Sequence, residues 1–131
     1  MSLTAADTWL YTTLRDSSTI HNGVADRIYV DEAPDGAAYP LIIISPVSSL
    51  QVSQMSTIRV MDNELWQVAI WGEGASYGTI GGIADNVRNL LHAASAASIL
   101  GATYESSTRL SEESGGKFYK AIVLEFRIYV K

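Results

Sequence analysis

The sequence predicts an α+β fold: a mainly antiparallel four- to five-stranded sheet with two helices packed on one face. Three observations predict it. Residues 120–131, KAIVLEFRIYVK, alternate in steps of two. Ile122, Leu124, Phe126, Ile128 and Val130 share one side of an extended chain and are all apolar, whereas Ala121, Val123, Glu125, Arg127, Tyr129 and Lys131 share the other and are mixed. Next, Ile80, Ile83, Ala84, Val87, Leu90, Leu91 and Ala94 recur at steps of three and four, the stripe of a helix laid on a sheet. Finally, the elements run helix, strands, helix, strands, an order that favours an antiparallel sheet with its helices on the apolar face.

The elements follow in order. Thr4 with Asp7 is a capping pair for a first helix, on which Ala6, Trp9, Leu10, Thr13 and Leu14 form one stripe before the polar run from Arg15 to Thr19. Asn22-Gly23 signals a turn, Arg27-Ile28-Tyr29-Val30 a short strand, and Ala33-Pro34-Asp35-Gly36 a second turn. Tyr39-Pro40 presets an extended entry to Leu41-Ile42-Ile43-Ile44, a β-branched strand buried on both faces. Pro46 cannot donate to a ladder, which places it at an edge or a bulge. Leu50-Gln51-Val52-Ser53 leads outward and Leu65-Trp66-Gln67-Val68-Ala69-Ile70-Trp71 leads back, as two antiparallel arms. Their tip lacks a tight-turn signature. Gly101-Ala102-Thr103-Tyr104 starts a further strand, and Glu112-Glu113-Ser114-Gly115-Gly116 turns the chain into its last one.

At 131 residues the chain is expected to form one domain, residues 1–131, with a core large enough to need neither metal nor disulfide. Hydrophobic residues make up 47% and charged residues 18%, which suits a globular protein and not a disordered or fibrous one. There is no cysteine, so disulfides and thiolate metal sites are excluded. No secretion leader or membrane-spanning stretch is expected, since Asp7 and Arg15 interrupt the start and every apolar run is short. A net charge of −5 argues against a general nucleic-acid binder, although an acidic body suits a passage through which DNA slides without sticking.

The search for chemistry returns little. His21 and His92 stand alone, without a carboxylate at ligand spacing, so no metal is expected. Serines occupy polar loops without a G-x-S-x-G elbow, and no nucleophile, base and oxyanion donor can be named together. The carboxylate pairs Asp31-Glu32, Asp62 with Glu64, and Glu112-Glu113 fall in or beside expected loops, where they solvate turns. The stretch from Gly72 to Gly82 follows a strand and opens a helix, as a phosphate cradle does. Tyr77 stands where G-x-G-x-x-G needs glycine, however, and Glu73 would repel a phosphate. The favoured reading is structural, with glycines that let the helix sit close to the sheet and Ser76 as N-cap. Trp66 and Trp71 should point to opposite faces, one into the core and one outward.

Taken together, Val24-Ala25-Asp26-Arg27-Ile28-Tyr29, Ala33-Pro34 and Gly36 ahead of Tyr39-Pro40, Trp66-Gln67-Val68-Ala69-Ile70-Trp71, and Ile83-Ala84, Val87-Arg88 and Leu90-Leu91 resemble the tail-completion, or tail terminator, proteins of long-tailed bacteriophages. The resemblance runs over nearly the whole chain and lies in the order and spacing of the segments. It implies a non-enzymatic structural virion assembly protein without cofactors, assembled in the host cytoplasm and placed at the tail-neck junction. It further implies a hexameric ring at the head-proximal end of the tail tube that ends tube polymerisation and joins the tail to a head-tail connector or stopper protein. DNA would pass its channel without specific binding.

Within that frame, Glu125, Arg127 and Tyr129 are the candidate face toward a neighbouring subunit or the channel. The arm tip, Ser53, Gln54, Met55, Ser56, Thr57, Ile58, Arg59, Val60, Met61, Asp62 and Asn63, is the candidate docking arm, ordered on assembly. The alternatives are another neck component or, from a different class, a small-molecule or nucleotide binder using the turn at Gly72 to Gly82.

Overall fold

The computed structural model describes residues 3–53, 59–74, 77–92, 94–96 and 99–130. The elements are α1 (Leu3–Asp16), α2 (Ser18–Val24), β1 (Ile28–Val30), β2 (Leu41–Ser53), β3 (Arg59–Glu73), α3 (Gly78–Leu91), β4 (Ile99–Ser114) and β5 (Lys117–Val130). The strands form a five-stranded sheet in the order β1-β2-β3-β5-β4. All neighbours are antiparallel except β1 and β2, which run parallel. The expected α+β architecture stands.

The core lies between the helices and one face of the sheet. Ala6, Leu10 and Leu14 of α1 and Ile80, Ile83, Ala84, Val87 and Leu91 of α3 meet Ile42, Ile44, Trp66, Val68, Ile70, Leu124, Phe126, Ile128 and Val130 from the strands. These are the helical stripes and the even-numbered strand face read from the sequence. At about 25 cal/mol per Å² of apolar surface removed from water, this layer is the dominant favourable contribution to the fold. Gly72 sets how closely α3 lies on β3: a Cβ there would stand 2.6 Å from Ile80 Cγ2. That is the close helix-sheet approach expected of the glycine-rich turn.

β2 and β3 are longer and more regular than the sequence suggests. The aliphatic segment and the outgoing arm are one strand, broken in register between Pro46 and Ser48. Pro46 thus sits at a bulge, and beyond the reach of β1, which pairs only with Ile42 to Ile44. The β4–β5 hairpin closes through Gly115 and Gly116, at φ 59° and 81°, the left-handed pair that a two-residue turn of this type uses.

Four local expectations are corrected. The polar run after α1 does not end the helical region: Ser17 caps a third helix by accepting a 3.4 Å hydrogen bond from the Ile20 N–H, and Ile20 and Val24 bury one turn apart. Asn22 and Gly23 therefore lie inside α2 instead of forming a turn. Thr4 falls within α1, which begins at Leu3, and so is not its cap. The expected N-cap Ser76 lies outside the described residues, and the cap position of α3 is Tyr77, whose side chain makes no capping bond.

The fourth correction is Glu64, which does not solvate a turn. It lies on β3 two residues before Trp66, hence on the same face, and is completely buried. The Trp66 indole N–H donates to Glu64 Oε1 at 2.8 Å, which keeps the largest core side chain hydrogen-bonded.

Candidate assembly surfaces

The strand face turned away from the helices divides into two halves. At one end, cross-strand neighbours form an apolar row, Leu41, Trp71, Ala121 and Leu110, followed by Ile43, Ala69, Val123 and Thr108. Leu41, Ala69, Ala121 and Val123 are buried although they are not part of the helix-covered core. The loop after β1 lies over this end, its residues from Ala33 to Tyr39 sharing a cleft with Leu41, Glu73, Lys117 and Tyr119. The Tyr39 and Tyr119 rings lie 5.2 Å apart. Burial, then Tyr119, Glu73 and Glu112 nearby, raise the Tyr39 phenol above its ordinary range.

The other half is polar. Next in register come Ser45, Gln67, Glu125 and Ser106, and then Leu65 with Arg127 and Thr103. Glu125, Arg127 and Tyr129 are all half-buried on this face, as the alternation of the last strand requires. Arg127 is fixed on both sides: its Nε donates to Glu105 Oε1 at 2.6 Å and a terminal nitrogen donates to Asn63 Oδ1 at 2.8 Å. The bulge between Tyr104 and Ser106 brings Glu105 to it. Sequence reading named Arg127 and Asn63 but had no means of joining them, because they meet only through the β3–β5 register.

Within the candidate arm, Ser53 and Arg59 to Asn63 are already strand. Ser53 pairs with Arg59, Val52 with Met61 and Gln51 with Asp62. The expected tip reduces to residues 54–58, which lie outside the described residues. Asp62 and Asn63 also pair with Val130 and Tyr129 of β5, so among the described residues the β2–β3 hairpin runs past β5 only at Val52, Ser53 and Arg59 to Met61.

The turn after β3 offers no phosphate cradle among the described residues. A shallow cleft there is lined by Tyr39, Pro40, Gly72, Glu73, Gly74, Thr79 and Ile80. Its charged member is a carboxylate, and Lys117 reaches that carboxylate at 3.7 Å. The Gly74 N–H is bonded to the Phe118 carbonyl at 2.8 Å. The histidines serve local structure: His21 pairs with Asp26 at 3.7 Å, and His92 Nδ1 accepts from the Tyr104 N–H at 3.1 Å. Among the described residues no group of three His, Asp or Glu converges on a metal position.

Helices on one face of a mainly antiparallel sheet, with the other face half apolar and half polar, define a class, that of small two-layer α+β domains. Within that class the match is specific: a family model described as tail completion protein gp17 matches residues 8–131, and the chain belongs to this family of structural phage tail proteins. Its fold is similar to that of a chain in the virion of the native gene transfer agent (GTA) particle. That likeness has a TM-score of 0.74 at 19% identity over 92% of this chain and 90% of the other. No curated protein matches the chain.

Proposed function

We propose that the chain closes into a ring at the head-proximal end of a phage tail tube, where it ends tube polymerisation and joins the tail to the head connector. Family membership across residues 8–131 carries this reading. The open sheet face supports it. The apolar row around Trp71 and Leu110 suits contact with another virion protein. The polar half suits a passage for DNA, because Arg127, the cation at its centre, is already neutralised by Glu105 and so does not hold phosphate. The β2–β3 ribbon, with its tip at residues 54–58, is the docking arm.

The test is electron microscopy of particles produced without this protein. Tails of irregular, excess length that are not attached to heads are expected. Tails of normal length attached to heads would overturn the proposal, and normal length without attachment would make the protein a connector or stopper instead. Deleting residues 54–58 should leave the melting temperature unchanged while abolishing attachment.

A further inference from the structure

A cluster of cations lies between α3 and the β4–β5 strands, and a cluster of carboxylates lies in the loop after β1. At the β4 edge, a groove of about 230 Å³ opens between α3 and the strands, floored by Ile122 and Leu124. Arg88 and Arg109 line it, and Lys120 stands beside Arg109 across the β4–β5 pair. The Arg109 guanidinium lies 4.8 Å and the Lys120 ammonium 5.2 Å from the centre of the Tyr77 ring, while Arg88 lies 5.6 Å from the centre of Tyr104. Lys120 also donates to Ser111 Oγ at 2.9 Å, and the Tyr77 hydroxyl donates to the Leu110 carbonyl at 3.2 Å.

Three of the nine Lys and Arg residues are therefore held over aromatic rings at this groove, in a chain that has 14 acidic residues, and none of the three is in an ion pair among the described residues. Asp85 is the carboxylate that lines the groove with them, and Glu113 follows further along β4 on the same side. Cation–π contacts hold a positive group while leaving its charge open to a second partner.

The loop that follows β1 presents Asp31, Glu32 and Asp35, all exposed: Asp31 and Glu32 stay beside β1 at the opposite edge, and Asp35 lies further along, in the cleft that the loop shares with Glu73, Lys117 and Tyr119. Asp26 lies just before β1 with its carboxylate 3.7 Å from His21 Nδ1, and Arg27 is turned inward, its Nε donating to the Pro40 carbonyl at 2.8 Å. Glu32 and Asp35 are in no ion pair among the described residues.

We infer that the acidic loop after β1 of one subunit seats in the basic groove beneath β4 of the next copy, a head-to-tail contact between unlike patches. This rests on the ring reading and names the surfaces that make it. The sheet order β1-β2-β3-β5-β4 puts Asp31 and Glu32 at the edge away from the groove, and the two patches are unlike, so repetition propagates around a ring and does not stop at a dimer. A second copy fits the groove better than nucleic acid does, because three cations with Asp85 among them are too few for a phosphate backbone, whereas the loop supplies carboxylates of matching number.

The test is complementation of particles lacking the protein, scored as the fraction of heads joined to tails, with two charge-reversed variants. The groove variant is Arg88→Glu with Arg109→Glu, and the loop variant is Glu32→Lys with Asp35→Lys. Asp31 is left alone because its φ of 70° favours Asp over Lys. Each variant alone should lower joining at least ten-fold, with circular dichroism and melting unchanged. The two mixed should restore at least half of wild-type joining, since an even-membered ring can close by strict alternation. Wild-type protein that fails to restore joining would sink the ring reading itself. Variants that each join heads as well as wild type would leave the ring standing and overturn the pairing. Variants that fail both alone and mixed would also overturn it and point to another occupant of the groove, which retention of duplex DNA by wild type but not by the groove variant would identify.

Discussion

On the helix side of β5, Phe126, Ile128 and Val130 are completely buried; one position along on the same strand, Arg127 and Tyr129 are only half-buried. The same contrast runs along β3, where Glu64 and Trp66 are sealed in the core while Leu65 and Gln67 are half-buried on the other side. The two faces share a backbone and a hydrogen-bond ladder, so the difference between them lies in what covers them. On one face every side chain has a fixed neighbour and a polar atom must find its partner inside the subunit. On the other, the loop after β1 covers one end, and the side chains of the polar half stay partly open to solvent. If the second face makes the contacts of the proposed ring, the first answers for folding and the second for assembly, and substitutions should separate the two.

The largest separation is expected from equal truncations on opposite faces. Phe126→Ala removes a fully buried ring that stacks edge-on with Tyr104 at 5.9 Å, and should cost roughly 3–5 kcal/mol of unfolding free energy in urea titration. Leu110→Ala removes a side chain that is 42% exposed on the open face and should stay within about 0.5 kcal/mol. Similar losses for both would mean that the open face is covered in the isolated subunit, and the distinction would fall.

A smaller effect tests how the closed face is set. Gly72→Ala places a methyl group 2.6 Å from Ile80 Cγ2, too close for any contact, so the Ile80 side chain or α3 with it must shift away from β3. The expected cost is about 1–3 kcal/mol. In an Ile80→Ala background the same Gly72→Ala change should cost less, because the methyl then has room. An equal cost in both backgrounds would place the strain in the backbone rather than between helix and sheet.

Which of these features can be read from sequence follows the same division. The closed face was legible because burial imposes a period: the stripes of α1 and α3 and the alternation of β3 and β5 are written in apolar residues. β4 was legible only at its start, since Glu105 to Ser114 are exposed on both faces and no alternation survives there. Its extent is set by pairing with β5, not by its own side chains. Glu64 was misplaced for the opposite reason, since a charged residue next to a loop reads as exposed although its parity with Trp66, Val68 and Ile70 already put it inside. The Arg127 contacts and the cations on Tyr77 depend on register across strands, which a single sequence does not specify. Alternation also marked the mixed face of β5, and the tail-completion resemblance gave that face a role and a class of partners, but neither said which of its side chains meet one another.

The smallest expected effect concerns the polar half of the open face. Arg127 and Glu105 are 28% and 40% exposed at the side chain, so water competes for both charges and salt screens them. A double-mutant cycle of Arg127→Ala and Glu105→Ala should give a coupling of about 0.2–1 kcal/mol that shrinks at high ionic strength. The same substitutions act differently on assembly if this half faces the DNA passage. Glu105→Ala frees the guanidinium, leaving Arg127 held only by Asn63, and a free cation on that wall should slow DNA exit while leaving subunit stability nearly unchanged. Arg127→Ala should not slow it, because the lining then becomes more acidic. Equal DNA release by the two variants would remove this half of the face from the passage.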